Sequence, residues 1–120
     1  AQEQNASLVS GGHALNSAGA FMEPTVLSVT PDMDIAREEV FGPVLSVMPF
    51  RSDAEAIEIA NGTDFGLVAG IFTADLDRAT SAARALRAGQ VFVNEWYAGG
   101  VETPLRSDQK RCRQTEGIST

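Results

Sequence analysis

"LVAGIFTADLDRATSAARALRAGQVFV", Leu67–Val93, decides the fold. It starts with Leu67–Thr73, a run apolar on both faces, as suits a strand covered by helices on each side. Asp75 stands where a helix N-cap is needed, and Leu76, Ala79, Ala83 and Leu86 recur at helical spacing as a buried stripe, with Gly89 at its end. "QVFV" is a second buried strand. A strand, one amphipathic helix and another strand, joined by short connections, imply a parallel pair with a right-handed crossover.

Working outward, the same alternation extends upstream. Ser52 with Glu55 three residues on forms a capping box, Ala54, Ile57 and Ala60 share one face of the helix behind it, and Asn61-Gly62 closes it. Before it, Val44–Phe50, "VLSVMPF", has strand length and apolar character. From Val44 the order is strand, helix, strand, helix, strand. The expected class is α/β, a parallel layered sheet with flanking helices, although three parallel strands alone make a small sheet. Further upstream, Leu8-Val9 running into Gly11-Gly12 reads as a strand and turn, and "FMEPTVLSV", Phe21–Val29, as an edge or bulged strand because Pro24 lies inside it. In "TPDMDIAREEVFGP", Thr30 or Asp32 can cap a short helix that Gly42 and Pro43 stop.

Composition narrows the chemistry. The chain has 120 residues, 43% of them hydrophobic, which suffices for a packed core. Its 16 acidic against 9 basic side chains give a formal charge of −7, which repels phosphate backbones, so nucleic acid is not an expected partner. No run approaches the roughly 18–20 apolar residues of a membrane span, and the N-terminus has no basic region followed by an apolar one. The chain therefore reads as soluble and, with Cys112 as its one cysteine, as cytoplasmic and without a disulfide or a cysteine zinc site. His13 is also alone, in loop-like "SGGHALNSAG", and no metal site is expected. The chain begins with Ala1 and "AQEQNA" looks like the end of a helix, which suggests a fragment.

"IAREEVFGPVLSV", "DFGLVAGIFTADLDRA", "LRAGQVFVNEW" and "GGVETP", in this order and spacing, resemble the C-terminal part of the catalytic domain of NAD(P)-dependent aldehyde dehydrogenases. The similarity runs over residues 1–104. It implies a partial catalytic domain there, an aldehyde as the parent enzyme's substrate, and NAD or NADP as cofactor. It also gives a role to "REEVFGP", which the residues alone leave as a solvated helix end. Glu39 matches the carboxylate that accepts hydrogen bonds from the nicotinamide ribose, and Phe41 the aromatic beside the nicotinamide ring, with Gly42-Pro43 fixing the turn that aims both. Glu38 is read as structural. Trp96 and Tyr97 fall in the segment that lines the aldehyde channel in relatives and are candidate substrate contacts, while exposed loop aromatics without that role fit them as well. Asn94, at a strand end, can order a loop through its side-chain amide, and Phe65-Gly66-Leu67 reads as ordinary packing.

The resemblance also says what is missing. In relatives the nucleophilic cysteine, the glutamate base, the oxyanion asparagine and the dinucleotide-binding fold precede the matched region, so no residue here is assigned a catalytic role and the chain alone is expected to be inactive. Cys112 lies beyond the matched blocks, beside Lys110, Arg111 and Arg113, and reads as an oxidisable surface thiol rather than a nucleophile. After Pro104 the pattern breaks. Relatives continue with Phe-Gly-Gly and a Ser-Gly-x-Gly-Arg turn, whereas this chain has "LRSDQKRCRQTEGIST". A one-base shift in the codons of Lys110–Gly117 can restore Ser-Gly-Val-Gly-Arg-Gln-Lys, so residues 105–120 are expected to be a disordered or frameshifted tail. Without the family's final strand, oligomerisation through it is not expected. The competing reading is a non-catalytic α/β interaction module, or a half-domain that pairs with a separate chain through its uncovered apolar faces.

Overall fold

The computed structural model describes residues 4–16 and 18–95. The chain divides into two compact units, Ala1–Phe50 and Arg51–Thr120. Trp96, Tyr97, Cys112 and the expected tail at 105–120 lie outside the described residues.

The first unit holds β1 (Ser7–Ser10), β2 (Thr25–Ser28), α1 (Asp34–Arg37) and β3 (Val44–Val47). Its ladder runs β1-β2-β3, with β1 antiparallel to β2 and β3 parallel to it. Pro24 does not place β2 at an edge. The strand starts one residue later, so the missing N–H costs the ladder nothing, and the irregularity falls instead between Leu8 and Ser10 in β1. Leu27, Val29 and Met33 form the buried cluster, packed by Ile35, Ala36, Val44 and Met48. On the other face, Leu45 and Val47 of β3 stay exposed.

The start of α1 is satisfied from a distance. Neither Thr30 nor Asp32 caps it; Met33 occupies the N-cap position without a side-chain bond. Gln4 supplies the acceptor, its Oε1 taking the Asp34 N–H at 3.0 Å while its Nε2 donates to Asp34 Oδ2 at 2.9 Å. Thr30 bonds Asp32 instead and lowers that carboxyl's pKa. The helix also stops earlier than Gly42-Pro43: Glu38 is already extended, with φ −97° and ψ 148°.

The second unit holds α2 (Asp53–Ala60), β4 (Val68–Ile71), α3 (Leu76–Ala85) and β5 (Gln90–Val93). Ser52 caps α2, its Oγ accepting the Glu55 N–H, although Glu55 returns its carboxylate to the Arg51 N–H rather than to Ser52. Asp75 caps α3 through the N–H groups of Asp77 and Arg78 at 2.9 and 3.0 Å. β4 and β5 pair in parallel from Val68↔Gln90 to Ile71↔Val93, the β-α-β unit read from Leu67–Val93. In the first unit the parallel partner of β3 is β2.

The helix faces also differ from expectation. On α3, Ala79 is buried and Ala83 and Leu86 are half-buried, but Leu76 is 77% exposed. Leu76 is the first residue of α3, and a two-stranded sheet is too narrow a platform to cover that end. On α2, Ala54 and Ala60 are exposed, while Ala56, Ile57 and Ile59 are half-buried. α3 packs on β4 and β5 and α2 packs on α3, and Phe72 just beyond β4 is 71% exposed. Asn61 joins the helices: its Nδ2 donates to the Ala85 carbonyl and its Oδ1 accepts the Arg87 N–H. Asp53 and Arg78 add a two-point ion pair.

Gly11 has φ +76°, and a Cβ there would lie 2.1 Å from the Pro24 carbonyl oxygen, whereas a Cβ on Gly42 meets nothing within 4 Å. Gly11→Ala is expected to destabilise the first unit by about 1–3 kcal/mol in urea titrations, and Gly42→Ala by no more than about 0.5 kcal/mol. The Arg78 guanidinium holds the Asp53 carboxyl below its ordinary value of 3.8. A depressed carboxyl stabilises the fold above the unfolded pKa and loses that contribution as pH falls through the folded one. Asp53→Asn should therefore lower the melting temperature at neutral pH, and the difference from the unsubstituted chain should shrink as the pH falls below 3.8.

Candidate functional site

The segment after α1 turns twice within a few residues. Gly42 N–H donates to the Val40 carbonyl at 2.9 Å, and Val44 N–H to the Gly42 carbonyl at 2.8 Å, so two three-residue turns follow each other with Pro43 between. The Pro43 carbonyl then accepts the Thr25 N–H at 2.8 Å, which seats the corner at the start of the parallel β2-β3 ladder. Thr25 is itself buried, and its hydroxyl donates to the Glu23 carbonyl and accepts the Gly12 N–H, each at 2.9 Å. One threonine thus ties the turn after β1, the start of β2 and the Gly-Pro corner. The sequence reading missed Thr25; its signal is a β-branched hydroxyl directly after Pro24 at the start of an apolar run.

Gly42 and Pro43 line a hollow of about 390 Å³ together with Pro24, Thr25, Val26, Val44 and Leu45. Immediately before the corner, Phe41 is 91% exposed and Glu39 is exposed. Neither side chain is buried, and a carboxylate and an aromatic ring stand within three residues of a braced turn. The corner depends on proline's fixed φ more than on glycine's freedom, since Gly42 is not among the positive-φ residues.

A second locus lies at the carboxyl ends of β4 and β5, the edge where open parallel sheets collect ligands. Asn94 sits there with φ 54°. Its Oδ1 accepts the Thr73 N–H and its Nδ2 donates to the Thr73 carbonyl, both at 2.9 Å. Of the sequence candidates, Glu39 and Phe41 are placed at one corner; Trp96 and Tyr97 fall outside the described residues. Among the described residues no group of three or more His, Cys, Asp or Glu side chains is arranged to hold a metal ion, and no helix is long and apolar enough to cross a membrane.

The aldehyde dehydrogenase family model matches residues 1–106. The chain belongs to the aldehyde dehydrogenase family. It is 49% identical over 106 residues to a betaine aldehyde dehydrogenase of Cereibacter sphaeroides, a match that covers 88% of this chain and 22% of that one. Among solved structures, the NAD-dependent aldehyde dehydrogenase of Sinorhizobium meliloti superposes with a TM-score of 0.83 at 41% identity, over 90% of this chain and 22% of that one. The P. syringae indole-3-acetaldehyde dehydrogenase bound to NAD+ superposes with a TM-score of 0.77 at 49% identity, over 82% of this chain and 20% of that one. The chain thus spans about a fifth of the length of the aldehyde dehydrogenases it matches.

Because Thr25 is the shared anchor of the corner, Thr25→Val, which keeps the shape but removes the hydroxyl, leaves the Gly12 N–H without its acceptor. The expected cost is about 1–3 kcal/mol in chemical denaturation, with the Gly12 amide exchanging faster by hydrogen exchange.

Proposed function

We propose that this chain is the nicotinamide-facing part of an aldehyde dehydrogenase that oxidises an aldehyde to a carboxylic acid with NAD+ or NADP+. The observation that carries the proposal is the exposed pair Glu39 and Phe41 ahead of the corner braced by Thr25 and Pro43. When bound, the nicotinamide accepts a hydride from the substrate. The chain's own residues contribute orientation. The Glu39 carboxylate has lone pairs for two sugar hydroxyls of one ribose, and Phe41 offers an apolar face that limits how a flat ring can lie. Gly42-Pro43, pinned by the Thr25 N–H, fixes the direction from which both side chains approach. Identity to an NAD-dependent aldehyde dehydrogenase and to a dehydrogenase bound to NAD+ supports the choice of cofactor class.

Under this reading Trp96 and Tyr97 contact the aldehyde, residues 1–104 make up the family part, and the nucleophile and base come from elsewhere in a longer family chain. The cysteine-poor composition fits a cytoplasmic setting. A non-catalytic interaction module gains no support from the matches. The isolated chain is expected to give no NAD-dependent aldehyde oxidation above a Glu39→Ala control. In 15N spectra, adding NAD+ should shift the Glu39 and Phe41 amides, and Glu39→Ala should remove the shifts. Turnover by the isolated chain would contradict the first expectation, and shifts that survive Glu39→Ala would overturn the assignment of the ribose-binding carboxylate.

A further inference from the structure

Asn61 does more than end α2. Its N–H donates to the Ile57 carbonyl at 2.9 Å, and its side chain reaches the end of α3, where Nδ2 donates to the Ala85 carbonyl at 2.9 Å and Oδ1 accepts the Arg87 N–H at 2.8 Å. Arg87 Nη2 in turn donates to the Asn61 carbonyl at 2.7 Å. The two side-chain bonds need a donor and an acceptor on one carbon, which a primary amide supplies. Gly62 follows because the helix end leaves little space: a Cβ there would lie 3.2 Å from the Ile59 carbonyl oxygen and 3.4 Å from that of Glu58. The joint calls for asparagine and the crowded turn for glycine, so the two stand side by side. In such a pair no Cβ shields the backbone nitrogen that can attack the asparagine side chain. Of the chain's four asparagines Asn61 alone precedes glycine; Asn5, Asn16 and Asn94 precede Ala6, Ser17 and Glu95.

We propose that Asn61 is a site of spontaneous deamidation and that the joint between α2 and α3 guards it. In the reaction the Gly62 nitrogen bonds to Cγ of Asn61, the Cγ–Nδ2 bond breaks, and Nδ2 leaves as ammonia with the proton from Gly62. Water then opens the five-membered imide at either carbonyl, giving aspartate or isoaspartate, and nothing is oxidised or reduced. In the fold every reacting group is engaged elsewhere. Gly62 N–H donates to the Ile59 carbonyl at 3.0 Å, and Ala85 and Arg87 hold both ends of the amide. The Asn61 backbone stands at φ −85° and ψ −5°, and ring closure must turn ψ into a region that residues with a Cβ rarely occupy. Opening of the joint releases all of these restraints together. The change is one-way. A carboxylate cannot donate, so the Ala85 carbonyl loses its partner and faces a negative charge, and isoaspartate also inserts a methylene into the main chain.

The test follows conversion at each asparagine by peptide mass spectrometry and by labelling with an isoaspartate methyltransferase. Three samples share one mildly alkaline pH: the full chain in buffer, the full chain in guanidinium chloride, and a synthetic peptide of residues 57–66 as the unguarded reference. Conversion of Asn61 in denaturant is expected within about twofold of the peptide, and in buffer slower by about tenfold or more. Asn61→Asp, which makes one product directly, should lower the urea midpoint of the second unit. Equal rates in buffer and denaturant would overturn the guard. Conversion of Asn5, Asn16 or Asn94 as fast as Asn61 in denaturant would overturn the assignment of the site. An unchanged midpoint in Asn61→Asp would overturn the one-way consequence. The rate comparisons use the unsubstituted chain, so they decide the site and its guard even where Asn61→Asp fails to fold.

Discussion

The hydrogen bond from the Thr25 N–H to the Pro43 carbonyl, 2.8 Å long, ties the corner of the candidate site to the first unit's sheet. Within the segment from Glu38 to Pro43, two small turns meet at Gly42. With the Thr25 bond, the corner is locked to the first pair of the β2-β3 register, Thr25↔Val44, and Glu39 and Phe41 inherit a defined origin. The threonine can serve this purpose because its hydroxyl is fully engaged on its other side by Glu23 and Gly12, so burying it leaves no polar group unpaired.

The second unit uses the same device with different residues. At the strand ends Asn94 takes both backbone groups of Thr73, and at the helix ends Asn61 takes one group from Ala85 and one from Arg87. In both places a short amide side chain substitutes for backbone pairing where the regular element has stopped. These joints are polar because little apolar burial is available to make them: Ala79 is the buried hydrophobic residue of that unit among the described residues.

Local signals survived from sequence to structure where the deciding chemistry lies within a few residues. The Asp75 and Ser52 caps and the β4-α3-β5 unit are of this kind, since each needs only a side chain, its own backbone and a repeat spacing. What was illegible depends on distant partners. The cap of α1 comes from Gln4, thirty residues upstream, and no local pattern announces it. That β3 pairs in parallel with β2 was not announced either, because the alternation says that strands pair but not with which neighbour. Leu76 fits a buried stripe by spacing, yet its exposure is set by how wide the sheet beneath happens to be. For the candidate site, positions 39 and 41 are singled out only by the family blocks around them; as isolated residues an exposed acid and an exposed aromatic carry no address.

The shallow burial throughout has a thermodynamic consequence. Phe41, Phe72 and Leu76 are already in water, and no side chain among the described residues is less than 2% exposed. The heat-capacity change on melting comes from newly hydrated apolar surface. Among the described residues little of it is hidden, which flattens the stability curve, so warming or cooling over the physiological range alters the balance with the denatured ensemble by little.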